Sequence, residues 1–400
     1  MDAKHPGLSA LRARLAFRLG VKAACGIALV LLMAIAMLAG ATLAFVAGFL
    51  ELAGGNPLRG LGVWFGAALL LHVGLMTFGW LRFTDPPPSG VLLEREAAPT
   101  LFDLIERVGK HFPGARVDSV WITGDMNALV TQRPAWGMFG PMRTSLLIGL
   151  PLAHSVSDRQ LAAVLAHEFG HLVHQRSGLG AWNCHLRGWW FRVLDRIALD
   201  LPWLTEIVDL VSRGMVVEAI RLSHLEEFEA DRAAARVAGS ALIGETLVEV
   251  ALKDRFLTED FMCKVMAQSR VRSAPSIRPY REMGLGMSAG FRRPIPEGKA
   301  VSPESVVSGA GGEADLHPAL PDRLLAVGTS RVVLRGDESS AAENHLSQIL
   351  PSLSLSFDRA WWADTRNDWR RQYRRVRRRA RVAKLDTASS MSPGLPDSEH

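Results

Sequence analysis

Two long uncharged stretches open the chain. Residues 23–50 carry no charged side chain, and residues 61–81 carry none either, with His72 as their only ionisable group. Each is long enough to cross about 30 Å of hydrocarbon at 1.5 Å per residue. Trp64 and Trp80 lie near the ends of the second, where interfacial aromatic residues collect. The first is too long for a cleavable leader, and a second span follows at once. Two transmembrane helices are therefore predicted. Gly62 and Gly66 offer a lone small-residue packing motif. His72 is read as either an inter-helix hydrogen-bonding group or a functional one.

Beyond the stiff Pro86-Pro87-Pro88-Ser89-Gly90 linker the pattern changes. Leu101, Leu104, Ile105 and Val108 recur at helical spacing within 100–112. Residues 117–122 alternate as a strand does, and 127–131 and 145–150 read as two more. Trp136, Met138 and Phe139 fall in the predicted loop between them. Ser157 followed by Gln160 is a capping-box start. Leu161, Val164, Leu165, Phe169, Leu172 and Val173 then continue a helix. Residues 182–220 are apolar but interrupted by charge, too often to span a bilayer. They read as two amphipathic helices, broken near Leu201-Pro202, that cover the domain or graze the membrane surface. Trp189 and Trp190 either pack in the core or dip into the interface. Residues 225–235 are rich in strong helix formers, with small residues on one side. Residues 274–314, rich in Gly, Pro, Ser and Arg, read as a long loop, a lid or an autolysis site.

Length and charge refine this outline. The chain has 400 residues, a formal net charge of +6 and a slightly positive mean hydropathy. That leaves room for one good-sized soluble domain beside membrane and tail segments. The predicted division is a basic N-terminus (1–22), two spans (23–82), a soluble domain (83–330), an arginine-rich helical extension (331–385) and a disordered tail (386–400). Lys4, Arg12, Arg14, Arg18 and Lys22 precede the first span, whereas the connecting turn has only Arg59. The positive-inside rule puts both the N-terminus and the soluble domain in the cytoplasm, at an inner or plasma membrane. Cys25, Cys184 and Cys263 have no framework spacing and form no Cys-x-x-Cys pair, which argues against a disulfide scaffold and against cysteine as a zinc ligand.

The chemistry lies in His167-Glu168-Phe169-Gly170-His171. On a helix, residues four apart share a face, so His167 and His171 can aim two imidazoles at one metal. Glu168 can reach a water held there, the arrangement of a zinc hydrolase. Gly170 is read as leaving room beside the metal. The flanking residues are apolar, so a solvated surface helix fits poorly. A metzincin would need Gly at 174 and His at 177, where His174 and Ser177 stand; that class is excluded, and His174 reads as a polar helix-end residue. The third ligand is then a carboxylate from a later helix. Glu227 is assigned to the metal and Asp231, four residues on, to the far nitrogen of a ligand histidine. Glu226 and Glu229 are read as solvated.

Together H-E-F-G-H and E-F-E-A-D resemble the HtpX-like and CAAX-prenyl-protease superfamily of membrane zinc endopeptidases. Asn127-Ala128 looks like that superfamily's upstream Asn-Ala signature, and His317-Pro318 through Arg323 like its His-Pro…Arg segment. The resemblance covers roughly residues 97–328. It differs from HtpX in having no further spans after the metal helix. It implies an α+β fold: a mostly helical zincin (gluzincin) domain with a small β-sheet beside the HExxH helix, preceded by two transmembrane helices. It implies one Zn2+ per chain, and protein or peptide substrates drawn from membrane or misfolded proteins. An edge strand would pair with extended substrate. That would place Asn127 and Ala128 at the substrate groove, though Asn127 could equally terminate a turn. His317 would act in catalysis by stabilising the oxyanion. Arg323 could do the same or anchor the fold through a carboxylate.

Arg370, Arg371, Arg374, Arg375, Arg377, Arg378, Arg379 and Arg381 crowd one segment. Beside a membrane, anionic lipid is the near partner, and a solvated basic helix the plain alternative. No nucleic-acid module is present, so nucleic acid is not expected. The rival to an enzyme is a membrane-anchored metal-binding scaffold or chaperone-like adaptor that no longer cuts. The intact Glu168 argues against it, because a scaffold has no need of a base there.

Overall fold

The computed structural model describes residues 6–81, 88–136, 139–175, 178–291, 317–329, 332–334 and 339–390. Pro86, Pro87, Met138, residues 292–316 and residues 391–400 lie outside the described residues, as does the side chain of His174.

Helix α1 (Pro6–Ala53) is one 48-residue rod, so Arg12, Arg14, Arg18 and Lys22 share a single helix with the first predicted span. Its second half pairs with α2 (Pro57–Trp80). Small residues set that contact. A Cβ on Gly60 would stand 3.0 Å from the carbonyl oxygen of Gly48, and one on Gly74 would stand 3.1 Å from Leu38. Gly60, Ala67 and Gly74 are buried at seven-residue spacing. Gly62 and Gly66 face open space instead, off the seven-residue series that forms the seam. His72 is exposed on the outer side of α2, away from the inter-helix bonding position expected for it.

The sheet has four strands among the described residues, in the order β1-β2-β4-β3. These are β1 (Val91–Leu93), β2 (Ser119–Thr123), β3 (Ala128–Trp136) and β4 (Phe139–Gly149). β2 and β4 run parallel; the other pairs are antiparallel. The predicted loop around Trp136 and Phe139 is instead the far end of the β3–β4 hairpin. Its Gly and Pro residues concealed the alternation. α3 (Pro99–Gly109) covers the sheet with Leu101, Leu104, Ile105 and Val108.

After β4 come α4 (Leu150–Ser155) and α5 (Asp158–Gln175). The α5 start shows half of the expected box: the Ser157 N–H donates to Gln160 Oε1 at 2.9 Å. Leu161, Leu165, Phe169 and Leu172 bury one face of α5 in the main core. α6 (Gly178–Asp200), a short turn at Pro202–Leu204 and α7 (Thr205–Ala238) form a long hairpin. It breaks at Leu201-Pro202, as read from the sequence. The predicted second amphipathic helix and the acidic helix are one continuous α7. Trp189 and Trp190 are buried against Leu19, Ala23 and Ile27 of α1, so they form a core rather than an interfacial contact.

Further α-helices among the described residues are α8 (Ser240–Arg255), α9 (Met262–Ala267), α10 (Pro279–Phe291), α11 (Leu320–Ala326), α12 (Ala341–Leu346) and α13 (Leu350–Ser390), with a π-helical turn at Phe256–Phe261 between α8 and α9. α10 replaces the first part of the predicted 274–314 loop. Met283 and Met287, four apart, are buried against Leu257, Phe261 and Val265. That periodicity outweighs the local Gly content. α13 continues through Ser390, past the expected start of disorder at 386.

Candidate metal centre

Two helices build the centre. α5 presents His167 and His171 on one face, with Nε2 atoms 3.2 Å apart. α7 brings Glu227 to both: Oε2 lies 3.5 Å from His167 Nε2, and Oε1 lies 3.3 Å from His171 Nε2. Ligand atoms of the three residues all fall within 4.8 Å of one another. Two imidazoles and a carboxylate, pre-gathered and shielded, form a donor set that fits a divalent metal of the zinc type.

The helices can approach this closely because position 170 is glycine. A Cβ there would stand 3.0 Å from the Cα of Ala230 and 3.1 Å from its carbonyl oxygen. Gly170 therefore serves helix packing, not free space beside the metal. The small side of α7 read from the sequence (Ala230, Ala233, Ala234) is the face buried here.

Asp231 is fully buried, and its Oδ1 lies 2.9 Å from His167 Nδ1. Arg323, from α11, grips the same carboxylate with two hydrogen bonds: Nε to Oδ2 at 2.8 Å and Nη2 to Oδ1 at 2.7 Å. Its Nη2 also lies 3.3 Å from Glu227 Oε2. Of the two roles weighed for Arg323, this contact is the carboxylate anchor. His317 stands at the rim, 58 % exposed, with Nδ1 3.3 Å from Glu227 Oε1.

Glu168 is buried and points to the edge of the sheet. Its Oε2 accepts the backbone N–H of Val130 at 3.1 Å. Val130 sits on β3, the edge strand beside α5. The sequence offers no signal for this bond, since it depends on a main-chain group. Ala128 opens the same strand, and Asn127 stands just before it. Asn127 is exposed, and its carbonyl accepts the Gly149 N–H at 2.8 Å; Ala128 is buried in the core.

Charge follows geometry. Burial pushes the Glu168 carboxyl up, against the pull of His167 and His171. For Glu227, burial also works to raise the pKa, but hydrogen bonds from His167, His171 and His317 overcome it and hold the carboxyl well below its usual range. Asp231 is likewise held low, with Arg323 outweighing burial. Burial opposes a charge on His167, yet Asp231 and Glu227 together push its pKa up to about 10. A metal held by His167 would take the place of that proton.

Glu226 and Glu229 are not merely solvated. Glu229 pairs with Arg12 of α1 at 2.9 Å, and Glu226 lies 3.6 Å from Arg187. Arg18 and Lys22 add pairs to Glu218, at 3.3 and 2.8 Å. The basic start of α1 thus lies along α7. Cys25, Cys184 and Cys263 are free and take no part in the centre.

No curated protein and no solved structure matches the chain. A family model does. Residues 135–329, running from the end of β3 through the metal helix, α7 and Arg323, match peptidase family M48. The mostly helical fold with its small mixed sheet thus carries, over residues 135–329, a zincin domain of peptidase family M48.

Proposed function

We propose that the protein is a membrane-anchored, zinc-dependent endopeptidase acting on peptide segments of membrane or misfolded proteins. The observation that carries this reading is Glu168, held by the Val130 N–H on the edge strand and set beside the His167, His171 and Glu227 group. A general base fixed beside a metal-ligand set suits hydrolysis and has no use in a scaffold.

His167, His171 and Glu227 would hold one zinc ion. When bound, zinc supplies a Lewis acid that polarises a carbonyl and acidifies a water. Glu168, its proton affinity raised by burial, takes the proton of the attacking water on a carboxylate oxygen. The same oxygen later hands that proton to the leaving amine. Asp231 holds the His167 ring through Nδ1, and Arg323 holds Asp231. His317, at the rim, donates to the oxyanion as it forms. Asn127 and the backbone edge of β3 from Ala128 onward line the groove in which extended substrate lies.

α1 and α2 support the anchoring. Both are long and apolar enough to cross a membrane, and only 17 % of either apolar window is buried within the fold. Leu43, Phe45, Phe49, Phe65 and Leu69 point outward, unlike the residues of a soluble core helix. The basic N-terminus pairs with α7, so it shares a side of the membrane with the metal centre, which supports a cytoplasmic catalytic domain. On α13, the arginines from Arg370 to Arg381 are exposed, and Arg371, Arg375 and Arg379 line a groove with Arg270. Anionic lipid headgroups are the partner that this charge fits, at about 1 kcal/mol per basic residue.

The test is cleavage of an unfolded protein such as casein by the detergent-purified chain, beside Glu168→Ala, with bound zinc quantified in both. Zinc in both and cleavage by the wild type alone is the expected result. Zinc in both with no cleavage by either would favour the silent-scaffold reading. Zinc in neither would overturn the ligand assignment.

A further inference from the structure

We infer that the tip of the α6–α7 hairpin is a third membrane contact, a lipid-inserted wedge made by Leu199, Trp203, Ile207, Leu210 and Val211. This rests on the reading of α1 and α2 as membrane spans and extends it to the catalytic domain.

The tip is docked to the domain-side end of α2. Trp80 Nε1 donates to Asp200 Oδ2 at 2.8 Å, and Arg196 Nη1 donates to the Gly79 carbonyl at 3.3 Å. Its inward side chains already have partners: Ile197, Leu201 and Val208 pack with Trp80, Leu81 and Val30 in one cluster. The outward ones do not pack there. Leu199 is 78 % exposed, Trp203 74 % and Leu210 70 %, and Ile207 and Val211 join them. Ile207, Leu210 and Val211 stand at i, i+3 and i+4, a single apolar stripe on α7. An apolar patch of this kind, rimmed by charge, marks an interaction surface.

Continuity identifies the occupant as lipid. Phe78 and Leu75, exposed on α2, lie next to the Gly79 and Trp80 contacts that hold the hairpin. The apolar outer surface of the spans therefore runs directly onto the hairpin tip. Glu206, Asp209 and Arg213 interrupt the stripe, so the tip lies in the interface and does not cross. Trp203 is suited to that depth, with an apolar body and a polar N–H.

The contact also fixes a height. Val211 and Glu227 lie on the same unbroken α7. Sixteen residues at 1.5 Å per residue put the metal centre about 24 Å along that helix from the wedge. The hairpin then acts as a strut that holds the cleft away from the bilayer and selects chain segments that reach that far.

The test uses the full chain in phosphatidylcholine vesicles, with Cys25, Cys184 and Cys263 replaced by Ser. An environment-sensitive fluorophore is placed singly by Trp203→Cys, Ile207→Cys or Leu210→Cys, with Leu43→Cys and Val271→Cys as references. Emission at 203, 207 and 210 should shift to the blue and be lost on adding a lipid-borne quencher, as at 43. Position 271 should instead respond to aqueous iodide. Hairpin labels that behave like 271 while 43 is lipid-quenched would overturn the wedge and leave the spans standing. Loss of lipid quenching at 43 as well would overturn both. Hairpin labels shielded from both quenchers would mean that protein, such as a second copy, covers the tip, and would also overturn the proposal.

Discussion

Gly170 on the metal helix and Ala230 on the glutamate helix are in such close contact that a methyl group at 170 would stand 3.0 Å from the Ala230 Cα, so the helices would have to part by a few tenths of an ångström to admit it. The neighbour is main chain, which cannot rotate away. Gly170→Ala should push the two helices apart, at a cost of about 1–3 kcal/mol. Because Glu227 and Asp231 ride on the displaced helix, metal affinity should fall with stability. Thermal unfolding and zinc retention after dialysis measure the two losses. A variant that keeps its zinc and its melting temperature would show that the helices have slack.

Val130→Pro isolates the backbone bond to Glu168. The Val130 N–H points at the carboxylate, and β3 is an edge strand, where proline is tolerated if its nitrogen faces outward. A hydrogen bond to a charged group is worth about 1.5–3 kcal/mol, so kcat/KM should drop about ten- to hundredfold while bound zinc is unchanged. Unchanged turnover would mean that Glu168 is positioned by something else.

Arg323 and Asp231 form a buried pair with two bonds, and removing one partner leaves a buried charge. Arg323→Met should cost about 3–5 kcal/mol. Arg323→Lys keeps the charge without the planar fork, so it should recover most of the stability but only part of the zinc affinity. Equal zinc affinity in Arg323→Lys and wild type would show that charge alone holds His167 through Asp231.

His154 of α4 is buried, with no hydrogen-bond partner at either ring nitrogen. Burial lowers its pKa to about 4, with Glu343 pulling weakly the other way. The unfolded chain binds that proton from about pH 6.5 downward, the folded chain only near 4. Stability is thus unaffected above 6.5 and falls as the pH drops toward 4, by about 3 kcal/mol in all. Denaturant unfolding at several pH values should show this slope, and His154→Leu should flatten it. An unchanged slope in that variant would place the acid sensitivity elsewhere.

Local pattern was sufficient wherever one periodic helix carried its own meaning. The spacing of Leu161, Leu165 and Phe169 predicted α5, and the four-residue step from His167 to His171 put two imidazoles on one face before any partner was known. The break at Leu201-Pro202 was legible for the same reason, since proline cannot continue a helix. Pattern misled where composition hid it. Glycine and proline in 274–291 mask the Met283 and Met287 repeat, and those around Trp136 likewise give the tip of the β3–β4 hairpin the composition of a loop.

What the sequence by itself determined is the inventory: two apolar rods, one helix with a histidine pair and a base, and a later helix with two acids four apart. These depend on residue type and helical period, which are local properties. Tertiary structure alone decided which partners meet. It seated Ala230 on Gly170, turned Arg323 onto Asp231 across 92 residues of chain, and aimed the Val130 N–H at Glu168. It also buried Trp189 and Trp190 and left Trp203 outside. Such choices are made by packing among segments far apart in sequence and by main-chain groups that every residue shares, so no local pattern records them.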